Sequence, residues 1–113
     1  MTTITDEYMQ QMLMKTKDYT IVLLKPGPQA NDYPDIKKLI WEHARRNFSL
    51  KADGVLSIVC PVTAETSVNG LYIFNTSVEE SKKIVDEDPA VQAGVFVYEV
   101  HPCKSFPGDS LPA

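Results

Sequence analysis

The amino-acid sequence predicts an α+β fold, a ferredoxin-like βαββαβ sandwich with one extra helix at its N-terminus. Four short runs are rich in β-branched and aromatic residues, as strands are. Two segments between them repeat apolar residues every three or four positions, as helices do. After the first helix the order of elements is β-α-β-β-α-β. Right-handed crossovers then give a four-stranded antiparallel sheet with both helices on one face.

The first half of the chain contains the extra helix, one strand and one long helix. A Thr-Asp start signal at residues 5–6 precedes apolar residues at helical spacing, which predicts a short amphipathic helix. Residues 19–25 are apolar and β-branched and end at a Pro-Gly-Pro turn, which predicts a strand. Pro34 suits the first turn of a helix of about 17 residues that ends near residues 53–54. The predicted inner face of this helix carries Ile36, Leu39, Ile40, His43, Asn47 and Leu50.

The second half contains two strands, a helix and a last strand. Residues 55–61 and part of residues 68–75 have strand composition and are joined by a polar connection that suits a hairpin. Residues 76–80 resemble a capping box and start a helix. That helix must stop before Pro89, because a residue that precedes proline disfavours the helical conformation. Residues 95–101 alternate as the final strand.

Composition bounds the domain organisation and the classes of partner. The 113 residues, 43% of them hydrophobic, suffice for one globular domain. We expect an N-terminal helical extension at residues 1–17, the ferredoxin-like domain at residues 18–102 and a proline-rich tail at residues 103–113. The net charge of −4 counts against nucleic acid as a partner, because phosphate binding needs a surplus of positive charge. No apolar stretch approaches a membrane span, and no signal-peptide pattern or disulfide framework is present, so we expect a cytoplasmic protein.

Apolar side chains on both faces of the predicted strands indicate a second chain. The first and last strands carry apolar residues at successive positions, so each strand presents them on both sides. The two helices cover one face only, and a large uncovered apolar face is unusual on a monomer. We therefore expect a homodimer that closes sheet on sheet. In the second strand, strict alternation places Leu56, Ile58 and Cys60 on one face, and Val55 and Val59 on the other.

Two residues are candidates for chemistry, His43 and Asp88. His43 lies on the apolar stripe of its helix, where a histidine is most often a core residue with one satisfied nitrogen. The acidic residues 86–88 lie at the C-terminal end of the other helix, where negative charge is unfavourable without a partner. Because the two helices pack side by side, a carboxylate from one could reach the histidine on the other. The sequence has no phosphate-binding loop, dinucleotide fingerprint, nucleophile elbow or paired-histidine motif, so we expect no cofactor and no metal.

Residues 88–96 resemble the D-P-x-x-x-A-G-hydrophobic signature of YciI-like (YCII-related) domains. His43 and the run from it to residues 53–56 are similar to the H…G-hydrophobic-hydrophobic segment of that family. The resemblance covers about residues 19–102. The chain departs from the family at residues 60–61, which are Cys-Pro where the family has Gly-Pro, and in its N-terminal helix and proline-rich tail.

The resemblance implies a dimeric α+β barrel with a cleft between the sheet and the helices. It also implies a His-Asp dyad, carried here by His43 and Asp88. In that family the dyad is regarded as an active site, and a few relatives are lyases or dehalogenating enzymes that act on small aromatic rings. Most members have no assigned reaction.

The sequence is compatible with two functions. In the first, the chain is a cofactor-independent enzyme of lyase, isomerase or hydrolase type that acts on an unidentified small molecule. His43 is then the general acid/base and Asp88 orients it, because a carboxylate on one imidazole nitrogen fixes the tautomer and raises the basicity of the other. In the second, the chain is a non-catalytic small-molecule-binding or accessory module, and the pair is a structural hydrogen bond. A haem- or flavin-assisted oxygenase would also suit the fold, but no cofactor motif supports it.

Overall fold

The polypeptide forms four helices and four strands in a computed structural model that describes all 113 residues. The sheet is antiparallel throughout, with the strand order β2-β3-β1-β4, which confirms the predicted ferredoxin-like α+β fold. In chain order the elements are α1 (Asp6–Leu13), β1 (Lys17–Pro26), α2 (Ile36–Ala52), β2 (Leu56–Pro61), β3 (Gly70–Phe74), α3 (Val78–Asp86), α4 (Pro89–Gln92) and β4 (Phe96–Ser105).

The core lies between one face of the sheet and the helices. Along β1 and β3, buried and half-buried side chains alternate, because successive strand residues point to opposite faces. We call the face that is turned toward α2 and α3 the helix face, and the other the open face. The fully packed cluster consists of Val22, Leu24, Leu56, Tyr72, Phe74 and Val85. Only 14 of the 113 residues are buried, so one chain hides little of its apolar surface.

The second strand departs from the predicted alternation. A register shift between Leu56 and Ile58 inserts an extra residue into β2. As a result, Leu56 pairs with Phe74 and Val59 with Tyr72 on the helix face. The prediction that Leu56, Ile58 and Cys60 share one face is therefore wrong. Ile58 and Cys60 lie on the open face, and Leu56 lies on the helix face.

Three other boundaries differ from the sequence-based expectation. The last strand continues to Ser105 rather than ending at residue 101, and it tolerates Pro102 because it lies at the sheet edge. The long helix begins at Ile36, after Asp35 in a left-handed conformation with φ of 56°, so Pro34 lies outside its first turn. The one-turn helix α4 was not predicted.

The N-terminal helix has no covering partner within the chain. None of the eight residues of α1 is buried. The molecule measures 56 × 30 × 24 Å, and its radius of gyration of 16.5 Å exceeds the ~13 Å typical of a compact domain of this length. None of the four helices combines the length and the hydrophobicity that crossing a bilayer requires.

Candidate active site

The inner side of α2 buries two polar residues and no apolar one. His43 is 7% exposed and Asn47 is 6% exposed. They are four residues apart, so they lie one above the other on the same helix face. Helical spacing predicted this orientation for both residues. Each buried polar group needs a hydrogen-bond partner, because leaving one unpaired costs about 1–3 kcal/mol.

Asp88 lies at the start of α4, where it caps the helix. Its Oδ1 accepts a hydrogen bond of 2.8 Å from the backbone N–H of Ala90. Pro89 occupies the first position of α4, where a missing N–H costs nothing. Gly94 follows the helix at φ of 76°, a conformation that glycine adopts without strain. The Asp-Pro-to-Gly motif is therefore a complete one-turn helix with its own start and stop.

The two candidate residues meet in the interior. Nδ1 of His43 donates a hydrogen bond to Oδ2 of Asp88 at 2.6 Å, and Asp88 is only 3% exposed. Arg46 adds positive charge beside them, with Nη1 at 4.0 Å from Asp88 Oδ2. Its Nη2 lies 3.9 Å from Oε2 of Glu87. The acidic residues at this position thus have the cationic and hydrogen-bonding partners that their sequence context required.

Two further residues complete a hydrogen-bonded chain on the other side of the imidazole. The hydroxyl of Tyr72 lies 3.0 Å from Nε2 of His43, and Nδ2 of Asn47 lies 3.1 Å from that hydroxyl and 3.4 Å from Nε2. One arrangement satisfies every group: Asn47 donates to Tyr72, Tyr72 donates to Nε2, and Nδ1–H donates to Asp88. It requires a neutral imidazole with its proton on Nδ1. No buried side-chain polar atom of the molecule lacks a partner.

We call His43, Asp88, Tyr72 and Asn47 the tetrad. The surroundings of the tetrad are aromatic and closed. The ring of Phe96 lies 5.1 Å from the imidazole, centroid to centroid. Burial of Tyr72, which is 5% exposed, raises the pKa of its hydroxyl well above the usual value, so the phenol stays protonated. Three surface cavities lie elsewhere, and none of them is lined by His43. Nε2 of His43 is occupied by the hydrogen bond from the Tyr72 hydroxyl.

Three other polar residues of the strands, Tyr98, Glu99 and Ser57, have partners of their own and do not join His43. Tyr98 donates to Asp86 at 2.6 Å, and burial together with this carboxylate raises the pKa of Tyr98 to about 12. Glu99 lies on the open face beside Lys25, which lowers the pKa of its carboxyl. Ser57 donates to Oδ1 of Asn75 at 2.9 Å. No three His, Cys, Asp or Glu side chains converge as metal ligands.

Sequence reasoning missed Tyr72 and undervalued Asn47. The signal for Asn47 was present, since an amide four residues from an inward histidine faces the same interior. Tyr72 gave no comparable signal. Strand alternation places its ring in the core, but no local pattern shows that its hydroxyl meets a histidine 29 residues away in the sequence.

The fold resembles that of a dehydrochlorinase of known structure. The structure of 5-chloro-2-hydroxyhydroquinone dehydrochlorinase from Burkholderia phenoliruptrix, in complex with 2,5-dihydroxybenzoquinone, matches with a TM-score of 0.51 and 19% sequence identity. The match covers 74% of this chain and 90% of that one. No protein-family model matches the sequence, and no curated protein matches it significantly. The chain therefore shares the α+β fold of this dehydrochlorinase.

Proposed function

We propose that the chain is a YciI-like enzyme that acts on a small molecule without a cofactor, with His43 as general acid/base and Asp88 as the residue that orients it. The observation that carries this proposal is the buried 2.6 Å hydrogen bond between the two side chains. Asp88 is itself held by the backbone N–H of Ala90, so the carboxylate is fixed before any ligand arrives. A fixed carboxylate keeps the proton on Nδ1 and leaves Nε2 as the basic nitrogen.

The reaction class follows from what one such base can do. An imidazole with an oriented Nε2 abstracts a proton, passes it to a leaving group or activates water. The structural neighbour is named as a dehydrochlorinase of a chlorinated hydroxyhydroquinone. Loss of HCl needs one base for the proton, and chloride departs with the bonding electrons. We therefore propose a small hydroxylated ring as the substrate class, and proton transfer coupled to elimination or isomerisation as the reaction.

Tyr72 has a part in this mechanism, because its hydroxyl occupies Nε2 of His43. The hydroxyl that donates to Nε2 has to move aside or be replaced by a hydroxyl of the substrate. A hydroxylated ring offers the same O–H donor that Tyr72 supplies in the closed site, so the exchange keeps Nε2 hydrogen-bonded throughout.

The test is turnover of chlorinated and unchlorinated hydroxyhydroquinones, followed by absorbance and chloride release, with wild type and the variants His43→Asn and Asp88→Asn. We expect turnover in the wild type, a fall of about 10²–10⁴-fold in His43→Asn and a smaller fall in Asp88→Asn. His101→Asn is the matched control, because His101 is the only other histidine and lies exposed on β4. Unchanged turnover in His43→Asn would exclude the proposed role.

A specific observation favours a second function, a non-catalytic binding or accessory module. Both imidazole nitrogens are hydrogen-bonded and the tetrad is buried, as in a structural polar core. A thermal-shift screen with the same compounds separates the two. A compound that raises Tm and is recovered unaltered supports this second function.

We infer that the working unit is a homodimer formed through the open face. Ile21, Leu23, Leu71 and Ile73 lie side by side on that face and stay only half-buried, while both long helices lie on the other side. Light scattering tests this: Ile73→Lys should halve the mass, and a mass equal to that of the wild type would contradict it.

Cys60 and Cys103 are free thiols, which suits the reducing cytoplasm in which we place the protein.

A further inference from the structure

The outer face of α2 carries an exposed aromatic stripe. Trp41 is 67% exposed and Phe48 is 68% exposed, and they lie two turns apart on the same side of the helix. Ala44 and Arg45 lie between them, and the four residues line a depression of about 230 Å³. We call this surface the α2 stripe. Two large aromatic side chains flanking a small residue form a notch that fits an apolar side chain from another helix.

The N-terminal helix carries an apolar stripe of its own. Tyr8, Met9, Met12 and Leu13 fall on one side of α1, and Tyr8, Met9 and Leu13 are each about half exposed. An isolated helix of eight residues is marginal in water, where lengths of about 12–15 residues are needed. Thr5 caps α1, but one cap does not make up this deficit. The helix therefore needs a partner surface.

The two stripes match in length and in charge. At 1.5 Å per residue, α1 is about 12 Å long, and the span from Trp41 to Phe48 is about 10.5 Å. Helix α1 carries two acidic residues, Asp6 and Glu7, and no basic one. Helix α2 carries five basic residues and one acidic residue. Opposite charges at the rim of an apolar contact favour association and set its orientation.

The two stripes do not cover each other within one chain, because both remain exposed. Only residues 14–16 join α1 to β1, which lies in the sheet layer. The α2 stripe faces away from the sheet, on the far side of a helix about 10 Å wide. A link of three residues is too short to bring α1 around to the far side of its own α2, so α1 points away from its own chain.

We propose that α1 is an exchanged arm that docks on the α2 stripe of a second copy of this chain. Met9 and Leu13 insert beside Trp41 and Phe48, and Asp6 and Glu7 face the basic side chains of α2. When each copy gives its arm to the other, the contact closes as a two-fold pair, separate from the open-face dimer, and leaves no arm free. The exchange is independent of the proposed catalytic activity, since no residue of the His43 tetrad takes part.

Trp41 is the only tryptophan of the chain, so its fluorescence reports directly on the stripe. In the Ile73→Lys background, which removes the open-face dimer, we expect emission to move to shorter wavelength and light scattering to show a dimer as the protein is concentrated. In the double variant Met9→Glu/Leu13→Glu, the emission should stay that of an exposed indole over a concentration range about a hundredfold higher. Each lost apolar anchor is worth about tenfold or more in the dissociation constant.

The matched control is Gln10→Glu/Gln11→Glu, which adds the same two charges to α1 outside its apolar stripe. It should associate as the wild type does, and equal losses in both double variants would overturn the proposal. Two other outcomes also overturn it. Emission that is already at short wavelength in the monomer would mean that α1 folds onto its own α2. Emission that stays that of an exposed indole at every concentration would mean that no copy of this chain covers the stripe.

Discussion

The two faces of α2 differ from those of an ordinary amphipathic helix at four positions. The inner face buries His43 and Asn47, which are polar, and the outer face exposes Trp41 and Phe48, which are among the largest apolar side chains of the chain. Half-buried Leu39, Ile40 and Leu50 also lie on the inner side, and Leu50 packs against the core cluster. Hydrogen bonds from the inner face to Tyr72 and Asp88 add to that packing. The helix is therefore held by apolar contacts together with its polar site, while two large apolar side chains stay exposed on its outer face.

Removal of the carboxylate from the inner face is expected to have the largest effect. Asp88→Ala leaves Nδ1–H of His43 and the N–H of Ala90 unpaired in the interior and takes the start signal from α4. We expect the free energy of unfolding to fall by about 3 kcal/mol or more. Urea unfolding measures this. Asp86→Ala is the control, because Asp86 is exposed and bonds only the Tyr98 hydroxyl. An equal loss in both variants would mean that the buried Asp88 carboxylate stabilises the fold no more than an exposed one does.

A smaller loss of stability is expected when the hydrogen bonds of the Tyr72 hydroxyl are removed. Tyr72→Phe removes the donor to Nε2 of His43 and the acceptor for Asn47, at a cost of about 1–2 kcal/mol. Because the folded-state pKa of Tyr72 is raised above 10.0, its contribution is complete below pH 10 and is lost as pH rises further. The wild type should therefore lose stability above pH 10 more steeply than Tyr72→Phe. Urea unfolding measures the free energy of unfolding at each pH. If it falls equally steeply above pH 10 in the wild type and in Tyr72→Phe, the burial of the Tyr72 hydroxyl is contradicted.

The outer face is expected to give the smallest effect. At concentrations low enough to keep the chain monomeric, Trp41→Gln and Phe48→Gln should change the free energy of unfolding by no more than about 0.5 kcal/mol, as exposed positions do. The same variants should weaken self-association. A loss of more than about 1 kcal/mol in the monomer would show that the two aromatic residues stabilise α2 within its own chain. The outer face would then not be free for a partner.

Much of the fold and part of the site followed from local patterns. Helical spacing placed His43 and Asn47 inward, and the unfavourable acidic end of α3 indicated that a carboxylate there had a partner. The Asp-Pro step was interpreted only as the end of α3, although aspartate followed by proline is equally a start signal, and so α4 was missed. The bulge in β2 changed the faces of Ile58 and Cys60 because a register shift has no fixed sequence signature. The partner of Tyr72 depends on contacts across the whole domain, which a local pattern does not contain.

The loop after β1 meets the turn after α4 at close range. The N–H of Gly27 donates to the carbonyl of Val95 at 2.8 Å, and the N–H of Gln29 donates to that of Gly94 at 2.9 Å. A β-carbon on Gly27 would lie 2.3 Å from the carbonyl oxygen of Gly94, so only glycine allows this approach. These two main-chain hydrogen bonds thus tie the loop before α2, the helix of His43, to the turn after α4, the helix that Asp88 caps.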